Sequence, residues 1–110
     1  MTATPSIPAE QTVACAINRA AGGRPVPGNQ VHLLIDGPDT YRAMLEVIGR
    51  ATRWVHFENY IIRSDDEGWR FAELLAERAR EGIHVRVLYD WLGSAGTSRR
   101  FWKHLRAAGV

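Results

Sequence analysis

The stretch Arg53 to Ser94, RWVHFENYIIRSDDEGWRFAELLAERAREGIHVRVLYDWLGS, decides the fold. Val55 to Ile62 reads as a strand with almost no alternation, which suits a central strand covered on both faces. Ser64, Asp65, Asp66 and Glu67 then offer a cap and first-turn acids for a helix whose inward positions are Phe71, Leu74, Leu75 and Arg78 with Ala79. Gly82 ends that helix, and Ile83 to Asp90 reads as a second strand. A strand, a helix and a strand in so short a span predict parallel pairing through a right-handed crossover. Polar residues stand at the outgoing end of each strand, which is where an α/β protein usually builds its site.

Working outward, Val31 to Asp36 (VHLLID) reads as a further short buried strand, closed by Asp36-Gly37-Pro38. Asp39 is the expected cap of the next helix, with Tyr41, Met44, Leu45, Ile48 and Ala51 on its apolar face and Glu46 paired with Arg50 on the other. Downstream, Leu92 to Ser98 is a glycine-containing loop, and Thr97 or Ser98 caps a last helix reaching about Ala108. The expected class is α/β, with about three mainly parallel strands and helices on both faces. So thin a sheet implies missing sequence or a partner surface. At the front, residues 1–9 carry two prolines and read as disordered. Residues 10–30 form an N-terminal helix and the Gly/Pro connector AGGRPVPGNQ, and residues 31–110 form the main domain.

A chain of 110 residues supports one core. Its net charge of +2 is too slight to argue for nucleic acid as a partner. Lys103 is the only lysine among fourteen basic residues, a bias that a GC-rich genome explains as well as a need for forked phosphate donors does. Cys15 is alone, which excludes an intramolecular disulfide. No apolar run approaches the length of a membrane span. Met1 to Ala9 lacks the basic start and apolar centre of a signal peptide. The expected location is cytoplasmic, with any membrane contact peripheral and at the inner face of the cell membrane.

Glu58, Asn59 and Tyr60 lie at the end of one central strand, and Asp90 and Ser94 at or beyond the end of the other. These five are the candidates for lining or supporting an active site, with Glu58 and Asp90 facing a common crevice. The plainer alternative has Glu58 bonded to a neighbouring amide or arginine and Asp90 anchoring its own loop as an Asx turn. His32, His56 and His84 fall inside strand patterns, where a half-buried, hydrogen-bonded histidine is ordinary. No pair has metal-ligand spacing, and Gly22, Gly23 and Gly28 lack the Walker pattern, so neither a metal nor a cofactor is expected. In the last helix Arg99, Arg100, Lys103 and Arg106 fall on one side, opposite Phe101, Trp102, Leu105 and Ala108, with no acid from Thr97 to Val110. Such a strip suits anionic lipid, at about 1 kcal/mol per basic group near the surface. Its plain alternative is a solvated helix face.

Several pieces in order carry a resemblance: Gly28-Asn29, the Leu34 to Gly37 turn, Glu58-Asn59-Tyr60-Ile61, Asp66 with Gly68, Gly82 before a Val/Arg-rich strand, Tyr89-Asp90 with Gly93-Ser94, and Ala108-Gly109-Val110. Together they resemble the front of a phospholipase D superfamily protein of the bacterial cardiolipin synthase type. The resemblance implies a helix-sheet-helix sandwich, here incomplete, and two such halves in a complete enzyme. Each half then carries one His-x-Lys-x-x-x-x-Asp motif. One histidine attacks phosphorus, the other serves as acid and base, and the lysines hold the phosphate oxygens without a metal. The implied reaction passes a phosphatidyl group from one phosphatidylglycerol to another.

The motif itself is not matched. His84-Val85-Arg86 has Arg in the lysine position and Trp91 in the aspartate position, while His104-Leu105-Arg106 repeats the first fault and runs out of sequence. No catalytic residue is assigned. The expectation is an N-terminal portion of a cardiolipin synthase-like phosphatidyltransferase, inactive alone, whose partners are phosphatidylglycerol, an anionic membrane surface and the missing remainder of the fold. One alternative is a phosphodiesterase of the same superfamily acting on another lipid or on nucleic acid. Another, of a different class, is a short non-catalytic module that binds anionic lipid or a partner protein.

Overall fold

A computed structural model describes residues 9–23 and 26–110. The expected loose N-terminus, residues 1–8, lies outside the described residues, as do Arg24 and Pro25. The elements run α1 (Ala9–Ala21), α2 (Gly37–Gly49), β1 (Trp54–Asn59), α3 (Asp66–Arg80), β2 (His84–Tyr89) and α4 (Arg99–Ala107). They divide into two compact units, one ending at Leu33 and the other beginning at Leu34. In the first, α1 spaces its apolar residues helically yet leaves Val13 and Ile17 exposed, and Cys15 is an exposed free thiol. Gly22 follows with φ +65, a conformation that a glycine adopts at no steric cost.

In the second unit β1 and β2 pair in parallel, from Trp54 opposite His84 to Asn59 opposite Tyr89, with α3 as the crossover. Asp65 caps α3 by accepting a hydrogen bond from Gly68 N at 2.8 Å. Asp66 and Glu67 in the first turn and Arg78 and Arg80 in the last both oppose the helix dipole. Gly82, at φ +88, then turns the chain into β2. Arg78 Nη1 donates to Gly49 O at 3.2 Å and ties the end of α2 to α3.

Alternation governs both strands. Val55 and Val85 are buried and Phe57, Val87 and Tyr89 half-buried, whereas Trp54, His56, Glu58, His84, Arg86 and Leu88 are all exposed. The covered face packs on Ile48 of α2, Phe71, Ala72 and Leu75 of α3, and Phe101 and Leu105 of α4. Aromatic contacts connect the layers: Phe57 to Phe71 at 5.5 Å, Tyr41 edge-on to Phe71 at 5.8 Å, and Tyr89 stacked on Trp102 at 4.1 Å between ring centroids.

Four expectations need correction. Val31 to Asp36 is not a strand: Val31, Leu33 and Ile35 are largely exposed and no ladder pairs them, so the sheet has two strands among the described residues, not three. Helices of this unit cover one sheet face, not both, because the even positions of β1 and β2 carry polar or isolated apolar groups that offer no continuous surface for a second layer. Asp36 rather than Asp39 stands at the start of α2, at φ 64 and without a side-chain cap bond. Pro38 sets the first turn, and Asp39 instead meets Arg42 Nη2 at 2.5 Å. His32, His56 and His84 are exposed, not half-buried, His32 in coil and the other two on the bare face, where His56 leans on Trp54.

Candidate functional site

The chain leaves β1 and β2 at the same rim, and the two exits are locked together by side chains. Ile62 is buried, and both of its backbone groups are taken by the second loop. Ser94 Oγ accepts from Ile62 N at 3.1 Å, and the Thr97 hydroxyl donates to Ile62 O. Ser98 N adds a bond to Ser64 Oγ at 3.2 Å. Two hydroxyls therefore replace the ladder that β1 loses after Asn59, which explains why the expected strand to Ile62 stops early while its backbone remains satisfied.

Close backbone approach completes the lock. A Cβ on Gly93 would lie 2.4 Å from Tyr60 O, and one on Gly68 would lie 1.8 Å from Arg63 O. Only glycine fits either position. Gly93, Ser94 and Gly68, which look like motif pieces in the sequence, thus have a packing reason within this rim.

The predicted site residues separate. Ser94 is buried and holds Ile62. Asp90 is exposed and its Oδ1 accepts from Gly93 N at 2.7 Å, which is the Asx turn. Glu58 is exposed on the bare sheet face opposite Leu88. Tyr60 lies one residue beyond β1 and is exposed. Asn59 lines a cavity.

That cavity, of about 230 Å3, lies against the covered face of the sheet. Tyr41 and Met44 of α2, Phe57 of β1, Leu75 of α3, Val87 of β2 and Phe101 of α4 are among its walls. Its exposed lining residues include Asn59, Arg63 and Asp65, which form a polar mouth. Sequence reasoning read Ser64 and Thr97 only as candidate helix caps and missed Arg63 and this cavity. The hydroxyl pattern in Gly93 to Ser98 (GSAGTS) was the available signal for the clamp, while the cavity depends on helix placement that no local pattern reports.

On α4, Ser98 Oγ caps the helix by accepting from Phe101 N at 3.3 Å. Arg99, Lys103 and Arg106 are exposed and recur at helical spacing, whereas Arg100 turns its guanidinium over the Trp69 ring, 5.6 Å from the centroid. Among the described residues no group of three or more His, Cys, Asp or Glu is placed to hold a metal, and no helix is long and apolar enough to cross a membrane.

A parallel strand-helix-strand unit with its polar loops gathered at the carboxyl rim defines an α/β scaffold of the kind that carries ligands at that edge. Curated proteins that it resembles include bacterial cardiolipin synthases. The chain is 40% identical over 82 residues to the cardiolipin synthase of Alkalihalophilus pseudofirmus, covering 74% of this chain and 16% of that protein. It is 40% identical over 81 residues to the major cardiolipin synthase ClsA of Bacillus subtilis, covering 74% and 17%. Against cardiolipin synthase A of Pseudomonas fluorescens it is 43% identical over 82 residues, again covering 74% and 17%. No family model matches the chain, and no solved structure matches it. The chain is cardiolipin synthase-like over most of its length and spans less than a fifth of the length of the curated relatives it matches.

Proposed function

We propose that this chain is the front scaffold of a phospholipase D-type phosphatidyltransferase, whose complete form passes a phosphatidyl group between phosphatidylglycerol molecules and which transfers nothing as residues 1–110 alone. The observation that carries this reading is the identity of about 40% to cardiolipin synthases in a chain without a His-x-Lys-x-x-x-x-Asp motif. In the complete form, the free edges of β1 and β2 accept further strands and the bare face accepts helices, which gives the phospholipase D sandwich. Glu58 on that face then acquires a neighbour, and Ser94 with Asp90 support the rim. Purified residues 1–110 incubated with phosphatidylglycerol vesicles are expected to release no glycerol and form no cardiolipin. Turnover by this chain would refute the scaffold reading. The intact parent enzyme, given phosphatidylglycerol beside single-stranded DNA, is expected to act on the lipid alone.

A second reading, contact with an anionic membrane surface, rests on the exposed Arg99, Lys103 and Arg106 and on Trp91 and Leu92, exposed in the loop before α4. Basic groups near lipid contribute about 1 kcal/mol each and are screened by salt. Co-sedimentation with phosphatidylglycerol-containing vesicles is expected to fall as salt rises and to weaken in the Arg99→Gln, Lys103→Gln, Arg106→Gln triple variant. Binding that ignores both changes would remove α4 from the interface.

A further inference from the structure

We infer that the cavity behind the sheet is a binding site for one medium-length acyl chain carrying an anionic head, with the tail against Met44, Phe57, Leu75 and Val87 and the head at Arg63. The inference goes beyond the phosphatidyltransferase reading and does not depend on it, since it stands on the cavity alone.

Size is the first argument. About 230 Å3 exceeds the roughly 150 Å3 of an apolar engineered cavity that admits benzene, so a single short chain fits and a two-chain lipid does not. Chemistry is the second. Ile62, Phe71, Ala72, Leu75, Phe101 and Leu105 are buried apolar lining, and water there lacks the two to four polar partners that hold it in a cavity. An apolar tail suits these walls better than water does.

The mouth selects the head. Of its two acidic groups, Asp65 accepts through Oδ1 from Gly68 N and Glu67 holds Arg70 at 3.0 Å. Among the described residues no carboxylate pairs with Arg63, whose Nη1 lies 3.3 Å from where a Cβ on Gly96 would stand. The side chain therefore crosses from the first exit loop to the second, and its guanidinium is available as a forked donor for a carboxylate or phosphate. Asn59 lines the same mouth and adds an amide donor. A neutral alcohol of equal length gains the walls but not the charge-assisted bonds.

Calorimetric titration of residues 1–110 with hexanoate, heptanoate, octanoate, decanoate and dodecanoate, all below micelle formation, tests this. Affinity is expected to rise about fourfold per methylene, the equivalent of about 0.8 kcal/mol per buried CH2, and then to level off once the chain fills the cavity. A rise without a plateau, or no saturable binding, overturns the site. Ala72→Leu is expected to lower octanoate affinity at least tenfold by filling the wall. Val87→Phe does the same from the sheet side, so loss of folding in one variant leaves the other to decide. Arg63→Gln is expected to weaken octanoate about tenfold and leave octanol unchanged, and equal losses for both ligands overturn the assignment of the head. No phosphatidyl transfer enters any arm, so a negative transfer assay and a negative titration are separate results.

Discussion

The two faces of the same two strands have opposite characters. Val55, Phe57, Val85, Val87 and Tyr89 meet three helices, whereas Trp54, His56, Glu58, His84, Arg86 and Leu88, one residue out of step, meet solvent. Strand geometry turns successive side chains to opposite faces, so the chain devotes every second residue to its own core and leaves the rest uncommitted. The covered face accounts for how this unit holds together, and the bare face adds little to that packing. A two-stranded sheet gains independent stability only by packing against helices, and here that packing is one-sided.

The covered face should be the most sensitive to truncation. Phe101 is 2% exposed and meets both Trp69 and Trp102. Phe101→Ala is expected to cost about 3–5 kcal/mol, since both the transfer energy and a cavity are lost. Small domains hold only about 5–15 kcal/mol in total, so a urea titration of this variant should begin near its transition. A loss below about 1 kcal/mol would mean that α4 does not pack as described.

The rim lies between the faces, and Gly68 tests it with a reversal of sign. In the first turn of α3, alanine in place of glycine is ordinarily favourable by up to about 1 kcal/mol. The added Cβ would fall 1.8 Å from Arg63 O, a backbone atom that cannot rotate away. Gly68→Ala is therefore expected to destabilise by about 1–3 kcal/mol, the usual scale of overpacking. A thermal melt at or above that of the parent chain would show that the exit loop of β1 is not held against α3.

A smaller change in the same rim tests the hydroxyl clamp. Thr97→Val keeps the shape and removes the donor to Ile62 O, and Ser94→Ala removes the acceptor for Ile62 N. Each is expected to cost about 1–2 kcal/mol because a buried backbone group loses its partner. The two bonds share one residue, so the double variant should lose less than the sum of the singles. Strict additivity by chemical denaturation would mean that Ile62 is not the common anchor.

The contrast between faces also marks what was legible in the sequence. The crossover, a start of α3 within Ser64 to Glu67, its end at Gly82 and a cap of α4 at Thr97 or Ser98 are local signals, and the structure meets each, with Asp65 and Ser98 as the caps. VHLLID shows the opposite case. Its composition suits a strand, but a strand exists only through a partner, and no neighbour supplies one to residues 31–36 here. The run from Val55 to Ile62 also misleads, because Tyr60 and Ile61 fall within the strand pattern and are exposed in the fold beyond the end of β1. At the site, Ser94 and Asp90 are legible as rim residues. That one clamps Ile62 and the other closes a turn follows only from the position of the loops in space.

The bare face gives the smallest expected effect and sharpens the comparison most. Threonine suits an exposed strand position, so His56→Thr, Glu58→Thr and Leu88→Thr are each expected to change stability by no more than about 0.5 kcal/mol. Leu88 is 63% exposed and lies opposite Glu58 in the register, so its truncation creates no cavity. The triple variant should then unfold at nearly the parent urea concentration and with the parent slope, independent of protein concentration. A much larger loss that grows on dilution would mean that a second copy covers this face in solution, since only binding to the folded state makes stability depend on concentration. Sedimentation velocity on the parent chain distinguishes the two: a monomer with indifferent even positions keeps the faces distinct, whereas a dimer disrupted by Leu88→Thr makes both faces core.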